Sequence, residues 1–329
     1  MRVALVAPLV TAIAQPYLGG AQALLADLAQ GLIQRGHTVT LFARDDSFVP
    51  GIAIEPVNVP DNVLPADFSQ PLQERDADPA FFTQANLFLE LFLKLRQRSA
   101  EFDLVHIHAF DWPAFACSTL IQDIPVIHTL HLPAVTPEIN EALRVMDRQG
   151  HPQTLVTVSY SCAETYASYT LIDYVIYNGL DLDAIPFNPK TPVEAPLLFA
   201  GRIAPEKGVE AAIVTYLGQL ERLALWKVMG QSLGLLFPIE WDEPFGLTAV
   251  EAMATGTPVI AFRRGAAQEI IRHGETGFLV EEGETAHAAA LVDDLYDIPR
   301  AHCRAHVEAN FSLQQMLDTY EQVYYSLSS

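Results

Sequence analysis

The chain has 329 residues, half of them hydrophobic, and carries a formal net charge of −21 at pH 7. This length exceeds the size at which one hydrophobic core keeps growing, so we expect a globular protein of two domains. With 40 acidic and 19 basic residues, its electrostatic field disfavours nucleic acid and anionic lipid as main partners, and an anionic substrate would need a local cluster of donors or cations.

The first half of the chain alternates apolar strands with amphipathic helices. Residues 2–8 are a continuous apolar run, typical of a parallel strand buried on both faces. Gly19 and Gly20 then precede a helix that ends at Gly36, and residues 37–43 give the next strand, which completes a βαβ unit. The later predictions are strands at 51–59, 103–110, 125–133, 154–159 and 173–179, a polar loop at 60–79 and a helix at 81–98.

A segment with four prolines, residues 185–196, predicts a linker between two domains. A second α/β series follows it, with strands predicted at 197–202, 215–218, 233–239, 257–262 and 276–280. We therefore predict two facing Rossmann-like, doubly wound α/β domains. The predicted domains are residues 1–185 and 186–311, with a C-terminal helix in 312–329 that can pack back on the first domain.

The cysteines and the N-terminal residues predict a cytoplasmic protein. Cys117, Cys162 and Cys303 lie far apart and form no C-x-x-C pair, which is typical of a reducing compartment. Residues 2–14 imitate a secretory signal, but prolines interrupt the run and α/β spacing follows it, so we favour a folded strand. No apolar run reaches the roughly 18 residues that a membrane-spanning helix needs.

Two turns lie where open α/β sheets bind ligands, beyond the carboxyl ends of strands. Gly19 and Gly20 directly precede a helix, whose free N–H groups and dipole attract phosphate, although an ordinary turn has the same sequence. Arg202 and Lys207, each beside a glycine, bracket the next such turn. Arginine binds phosphate through two parallel hydrogen bonds and lysine adds a point charge, so this turn is a candidate anion site; two solvated surface cations are the alternative.

Two glutamates eight residues apart frame the start of a later helix. Glu243 lies in the loop before Phe245, Gly246 and Leu247, and Glu251 lies on the helix that follows. Glu251 can accept two ribose hydroxyls, Glu243 can hold a sugar hydroxyl, and the backbone N–H groups of the helix start can face an anion. The alternative is a pair of carboxylates that only interact favourably with the helix dipole.

Four histidines and an aspartate on two neighbouring strands raise the possibility of a metal site: His106, His108, Asp111, His128 and His131. We favour no metal, because no third strand supplies an obvious acidic ligand. One or two of these histidines would then be polar groups in the cleft between the domains, and the others would be core histidines with hydrogen-bond partners.

These signals occur together in an order that resembles the family 4 retaining glycosyltransferases of the GT-B fold. The matching segments span nearly the whole chain: Gly19-Gly20, RGHTVTLFA, DLVHIH, HTLH, VIYNGLDLDAI, GRIAPEKG, the E-x₇-E pair Glu243 and Glu251, GTPVIAFRRG and HGETGFLV. The resemblance implies transfer of a hexose from a nucleotide-sugar, which we expect to be a UDP-sugar, to a small soluble acceptor with retention of configuration. The donor is a co-substrate, and no cofactor or metal is implied.

The resemblance also implies a role for each candidate residue. Arg202 and Lys207 would hold the donor diphosphate, helped by the backbone of Gly19-Gly20, and Glu251 would bind the donor ribose. The two cations and the helix N-termini would replace a metal in stabilising the leaving diphosphate. A leaving-group phosphate oxygen would take the acceptor proton, so no carboxylate base is needed.

The remaining residues would contact the transferred sugar and the acceptor. Glu243 and the backbone of Phe245-Gly246-Leu247 would hold the sugar. His131 would line the reacting centre, with His108 and Asp111 near the acceptor.

One departure from the family pattern is large. About fifty residues, the length of one or two βα units, normally separate the EKG turn from the strand that resembles TYLG. Here only residues 209–215 intervene, so we expect a second domain shortened by one or two βα units, with an opened or re-paired sheet and an altered base pocket. The alternative function is a shortened, non-catalytic relative that binds a nucleotide-sugar or a protein partner only. An epimerase or hydrolase on the same fold would lack the E-x₇-E pair.

Overall fold

The computed structural model describes residues 1–17, 19–60, 79–148, 153–191, 194–202, 204–208 and 216–328. The chain divides into two compact units. Unit 1 comprises residues 1–157, 166–174 and 319–329, and unit 2 comprises residues 158–165 and 175–318. The predicted loop at 60–79 lies almost wholly outside the described residues, as does the segment 209–215.

Unit 1 contains a seven-stranded parallel sheet with the strand order β3-β2-β1-β4-β5-β6-β7. Its strands are β1 (Arg2–Val6), β2 (Thr38–Arg44), β3 (Ala53–Val57), β4 (Leu104–Ile107), β5 (Val126–Leu130), β6 (Gln153–Thr157) and β7 (Tyr174–Val175, the last residue of which belongs to unit 2). The N-terminal apolar run is the interior strand β1, which pairs with β2 on one side and β4 on the other. Four of its five residues are fully buried, and this explains why the run shows no alternation of polar and apolar residues.

Helices connect these strands as the sequence predicts. The helices of unit 1 are α1 (Gly20–Gln34), α2 (Pro79–Gln97), α3 (Trp112–Ser118) and α4 (Pro137–Arg148). The leucine face of α1 is buried, including Leu24, Leu28 and Leu32. Phe88 and Phe92 of α2 are also fully buried, in a core shared with residues of β1 and β4.

Unit 2 contains a four-stranded parallel sheet with the order β11-β10-β9-β8. Its strands are β8 (Leu197–Phe199), β9 (Gly234–Phe237), β10 (Val259–Phe262) and β11 (Gly277–Val280). Its helices are α5 (Tyr160–Tyr166, the last residue of which belongs to unit 1), α6 (Arg222–Gly230), α7 (Leu247–Ala254), α8 (Ala267–Ile270), α9 (Thr285–Ala290) and α10 (Arg300–Asn310). The predicted α/β class with two parallel sheets is confirmed.

The units do not follow the predicted boundary at residues 185–186. Residues 158–165 already belong to unit 2 because their backbone is bound there. The carboxylate of Glu269 accepts hydrogen bonds from the N–H groups of Tyr160 and Ser161 at 2.9 and 2.6 Å. At the other end of the chain, the boundary falls within the last helix, α11 (Leu313–Leu327), whose residues from 319 onward belong to unit 1.

The predicted strand at 215–218 is wrong for its described residues. Tyr216, Leu217 and Gly218 form no strand, and the side chains of the first two are 73% and 56% exposed. Strand β8 pairs directly with β9, and no described residue pairs with its other edge. Both apolar residues of its described part are largely exposed, so burial of apolar surface does not stabilise them as a strand.

The described helices include none with the length and hydropathy that crossing a lipid bilayer requires.

Candidate active site

In unit 2, the turn after β8 is packed against the loop that precedes α7. Residues Pro205–Lys207 form one turn of 3-10 helix, and the N–H of Lys207 donates to the carbonyl of Ala204 at 3.0 Å. The carbonyl of Glu206 accepts the N–H of Glu240 at 3.0 Å, which joins the two loops through the backbone. Because both hydrogen bonds belong to the peptide group between Glu206 and Lys207, the backbone at this lysine is held in place.

Gly208 completes this turn, and no other residue fits there. Its φ is +67°, and a Cβ would lie 1.9 Å from the carbonyl oxygen of Pro238. We expect Gly208→Ala to lower the free energy of unfolding by about 1–3 kcal/mol, since it adds a clash to a left-handed backbone, and to displace Lys207. Urea denaturation measures the loss. Gly274→Ala is the matched control: its φ is +79° but nothing lies within 4 Å of its Cβ, and an equal loss in both variants would contradict the role of the close contact.

Lys207 lies in a half-buried cluster with Glu243 and Trp241. Its Nζ is 2.5 Å from Oε2 of Glu243, with both side chains about 15% exposed. The indole N–H of Trp241 donates to the same oxygen at 2.7 Å, and Nζ lies 5.1 Å from the centroid of the Trp241 ring. The structure therefore brings together two predicted site residues that are 36 positions apart and adds a tryptophan that the motif did not indicate.

Arg202 is not part of this cluster. Its side chain is 62% exposed, and its guanidinium donates to Glu206 at 3.0 Å. An exposed pair of this kind contributes little to stability, so Arg202 can exchange its carboxylate for an anionic ligand at low cost.

The loop then enters α7 through a left-handed residue. Gly246, the residue before the helix, has φ 86° and ψ 47°, and a Cβ there would lie 3.0 Å from Ile270. The ring of Phe245 is buried and packs against Tyr177 and Phe311, so this side chain belongs to the core and only its backbone belongs to the loop. Leu247 is the first residue of the helix.

Glu251 lies on α7 and is 7% exposed. Its Oε1 accepts hydrogen bonds from Nε of Arg222 and from the indole Nε1 of Trp226, both at 3.1 Å. The Arg222 guanidinium lies 4.8 Å from the centroid of the Trp226 ring. The sequence analysis did not identify Arg222 and Trp226 as partners of Glu251. Their i, i+4 spacing on α6 indicates only that these two side chains lie next to each other.

In unit 1, Gly19 and Gly20 form the N-terminus of α1, as predicted. Gly19 is the N-cap, both glycines are exposed, and nothing lies within 4 Å of a Cβ built on Gly19. Oε1 of Gln22 accepts the Gly19 N–H at 2.9 Å, and the Gln22 amide donates to the hydroxyl of Thr11. The open space at Gly19 allows a ligand to approach the backbone of this helix start.

Three of the four histidines meet at the carboxyl ends of β4 and β5. Nδ1 of His108 lies 2.9 Å from Nε2 of His131, and the rings of His106 and His108 have centroids 4.1 Å apart. His106 bonds through Nδ1 to the hydroxyl of Tyr324 at 2.6 Å and through Nε2 to Oγ1 of Thr129 at 2.8 Å. Burial lowers the pKa of His106 and His108 well below the usual value, and lowers that of His131 to about 4.

His128 points to the other face of the sheet. Its ring stacks on Phe115 of α3, and its Nε2 lies 3.1 Å from the hydroxyl of Ser118. Adjacent residues of a strand face opposite ways, so His128 faces away from Thr129, the β5 residue that bonds His106. Across the described ranges, no group of three His, Cys, Asp or Glu residues could hold a metal ion.

Asp111 is the residue before α3 and is half-buried. Its Oδ1 accepts the side-chain amide of Gln84 at 2.7 Å, and burial raises its pKa to about 6. Among the residues that the structure describes, no hydrogen bond joins Asp111 to a histidine.

Comparison with known proteins defines the class. The family model described as Glycosyltransferase Family 4 matches residues 18–184, and the one described as Glycosyl transferases group 1 matches residues 211–310. The first match covers half of the chain, and the second covers the part of unit 2 that contains both glutamates. The chain is a glycosyltransferase and belongs to Glycosyltransferase Family 4.

Individual relatives agree with this assignment. Glycogen synthase from Mycobacterium tuberculosis is 26% identical over 69% of this chain and 69% of its own length. D-inositol 3-phosphate glycosyltransferase from Geodermatophilus obscurus is 26% identical over 93% and 84%. The solved structure of sucrose-phosphate synthase from Thermosynechococcus elongatus aligns with a TM-score of 0.76 at 19% identity, covering 99% of this chain and 98% of that one. Anabaena HepE, solved in complex with UDP and glucose, aligns with a TM-score of 0.72 at 19% identity over 99% and 100%, and these likenesses confirm the GT-B fold.

Proposed function

We propose that this glycosyltransferase moves a hexose from a UDP-sugar to a small soluble acceptor, with retention of configuration and without a metal. The observation that carries the proposal is the arrangement around α7 in unit 2. The Lys207–Glu243–Trp241 cluster lies at the loop before the helix, and buried Glu251 lies on the helix itself. Anabaena HepE, a structural neighbour, has been solved with UDP and glucose, and this supports the choice of donor.

Lys207 has the chemistry to stabilise the leaving group. When the bond between the anomeric carbon and the diphosphate oxygen breaks, negative charge develops on that oxygen, and a positioned ammonium lowers the energy of this state. Arg202 adds a second cation from an exposed position. In the proposed retaining reaction the acceptor oxygen attacks from the face that the diphosphate leaves, and the acceptor proton passes to the leaving phosphate oxygen. The reaction therefore requires neither a metal nor a carboxylate base.

Glu251 and Glu243 would bind the two other parts of the donor, the ribose and the transferred sugar. Glu251 is oriented by Arg222 and Trp226 and would accept the ribose hydroxyls. Glu243 would hold a hydroxyl of the transferred sugar, next to the backbone of the loop into α7. We propose that His131 lines the reacting centre, and that His108 and Asp111 lie near the acceptor.

The acceptor and the compartment are proposed from charge and cysteine chemistry. A net charge of −21 disfavours an acceptor embedded in anionic lipid, so we propose a small dissolved one. The three cysteines, Cys117, Cys162 and Cys303, are free thiols, which suits the cytoplasm.

A specific observation also favours the second candidate, a shortened relative that binds a donor or a partner without catalysis. The alignment with D-inositol 3-phosphate glycosyltransferase of Geodermatophilus obscurus runs over 388 positions, and this chain has 329 residues. At least 59 aligned positions (388 − 329) therefore have no residue in this chain. We propose that part of this difference is the missing βα length after Lys207, since the described sheet of unit 2 has four strands.

Calorimetry separates the two candidates. We expect UDP to bind at least about tenfold more tightly than GDP or ADP, and a donor-hydrolysis assay to show turnover that EDTA does not reduce. Arg202→Ala should weaken UDP binding by about 1.5–3 kcal/mol, the value of a charged hydrogen bond. Glu243→Gln should weaken binding of the UDP-sugar and leave binding of UDP unchanged.

Arg272→Ala is the matched control for Arg202→Ala. Both arginines belong to unit 2, are more than half exposed and pair with a nearby glutamate on the same turn. If no nucleotide releases heat, the transferase proposal is wrong. UDP binding without any hydrolysis or transfer would instead favour the non-catalytic candidate.

A further inference from the structure

The pair formed by His108 and His131 has a proton arrangement that the geometry can assign. His108 is 2% exposed, its Nδ1 lies 2.9 Å from Nε2 of His131, and the two rings stack at an interplanar angle of 24°. A single hydrogen lies between these two nitrogens, so one ring donates and the other accepts. Both rings are neutral, because burial lowers both pKa values and a third imidazole, that of His106, lies 4.1 Å from the His108 ring.

Two arrangements satisfy this hydrogen bond, and they differ in the remaining nitrogens. If His108 donates from Nδ1, its Nε2 is a lone pair, and His131 carries its own proton on Nδ1. If His131 donates from Nε2, His108 carries its proton on Nε2, and Nδ1 of His131 is a lone pair. The nitrogen that His131 leaves uncommitted is therefore a donor in the first arrangement and an acceptor in the second.

The buried end of His108 favours the first arrangement. Nε2 of His108 is buried and has no hydrogen-bond partner among the described residues. An unpaired N–H group is rarer in protein interiors than an unsatisfied acceptor. The second arrangement places such an unpaired N–H at Nε2 of His108, whereas the first leaves only an unsatisfied acceptor. The neighbouring ring of His106 offers no alternative partner, because its nitrogens already bond to the hydroxyl groups of Tyr324 and Thr129.

The frame around this pair is rigid. The hydroxyl of Thr129 also lies 3.0 Å from the hydroxyl of Tyr320, so α11 contacts the network at two tyrosines. Tyr320 and Tyr324 are almost fully buried, and rotation of the His106 ring would break its hydrogen bonds to Tyr324 and Thr129. The ring of His108 therefore packs against a neighbour whose position is fixed.

We propose that His108 is a positioning residue that holds His131 as the Nδ1–H tautomer, so that His131 presents a hydrogen-bond donor to an oxygen of the substrate. The second half of this statement rests on the proposed function, in which His131 lines the reacting centre. His131 in this form binds an oxygen by donating a hydrogen bond and has no free lone pair to act as a base. This agrees with a reaction in which a phosphate oxygen takes the acceptor proton.

Histidine tautomers can be measured directly in the whole protein. Protein labelled with ¹⁵N-histidine gives two-bond ¹H–¹⁵N correlations that distinguish a protonated Nδ1 from a protonated Nε2. The signals of His131 are assigned by their loss in His131→Asn. We expect protonated Nδ1 and unprotonated Nε2 on His131 without any ligand, and loss of this fixed form in His108→Phe, which keeps a buried ring but has no donor. A wild-type His131 with its proton on Nε2 would overturn the proposal.

Two isosteric variants test the role in the reaction. The asparagine amide nitrogen can take the place of Nδ1, whereas the glutamine amide nitrogen takes the place of Nε2. We expect His131→Asn to retain at least about tenfold more kcat than His131→Gln, and His108→Asn, which restores a donor toward His131, to retain more than His108→Phe. Equal losses in the asparagine and glutamine variants would contradict a donor role for Nδ1.

The outcomes for the two proposals are distinguishable. If the spectrum shows the Nδ1–H form but no nucleotide binds, the proposed function fails and the tautomer assignment stands. If UDP-sugar turnover is normal but the spectrum shows the Nε2–H form, only the inference about His108 is overturned. His128→Asn serves as the control, because His128 is also buried but lies on the opposite face of the sheet.

Discussion

Replacing Lys207 by alanine is expected to lower kcat for UDP-sugar cleavage by about 10²–10³-fold, the usual effect of removing one preorganised donor from a developing oxyanion. The lysine is half-buried and fixed by the turn at Gly208, so water cannot replace its ammonium in the same position. Binding of UDP should also weaken, since in the proposed function the same charge contacts the diphosphate before the reaction. Single-turnover kinetics with saturating donor measures the chemical step separately from binding.

The variant also leaves Glu243 without its cation. An unpaired, largely buried carboxylate costs about 1–3 kcal/mol of stability, so part of any activity loss could come from unfolding. The double variant Lys207→Ala with Glu243→Gln removes both charges, and we expect it to recover the lost stability but not kcat. Lys190→Ala, at an exposed cation of unit 2, is the control for net charge. A Lys207→Ala protein with kcat within twofold of the wild type would contradict the assignment.

Glu251→Gln is expected to weaken UDP binding by about tenfold to a hundredfold, the range of one charged hydrogen bond. Glutamine retains an oxygen for the indole N–H of Trp226 but loses the charge that faces Arg222, so the side chain no longer has one fixed orientation. Binding of inorganic diphosphate should be unchanged, because it lacks the ribose. Isothermal calorimetry with UDP, uridine and diphosphate gives the three affinities.

Two further variants show whether this loss is specific to the ribose. Trp226→Phe keeps the ring under the Arg222 guanidinium but removes the N–H donor, and we expect a smaller loss of UDP affinity than in Glu251→Gln. Glu308→Gln removes an exposed glutamate that pairs with Arg304 on the same helix, and it should bind UDP normally. Equal weakening of UDP and diphosphate in Glu251→Gln would contradict a ribose contact.

The strands that local pattern predicted most directly include those buried on both faces. Residues of β1, β5 and β10 are all or nearly all buried, and they are apolar except for Arg2, His128 and Thr129; this pattern depends on the strand alone. The wrong strand at 215–218 was predicted from a short apolar segment, and its described residues are exposed. Periodicity cannot decide such a case, because burial of two or three side chains depends on whether a neighbouring strand exists.

In the candidate site, too, some residues could be predicted from the sequence and others only from the packing. The order of motifs along the chain predicted Lys207, Glu243 and Glu251 as functional residues. The tryptophans that hold the two carboxylates could not be predicted, because the direction of an indole N–H depends on how α6 and the loop before α7 pack. His128 differs from the other three histidines for a similar reason, since the pleat of β5 decides which sheet face each side chain joins.

By itself, therefore, the sequence determined the α/β class, most of the strands, the glycosyltransferase family and the residues that carry its motifs, because these depend on short-range pattern and residue chemistry. Only the tertiary structure decided the partners of those residues. Thr129 and Tyr320 are 191 positions apart and His106 and Tyr324 are 218 apart, yet they form one hydrogen-bonded network. Contacts at such separations form only when helix and sheet pack, and that packing fixes which nitrogen of His108 faces His131.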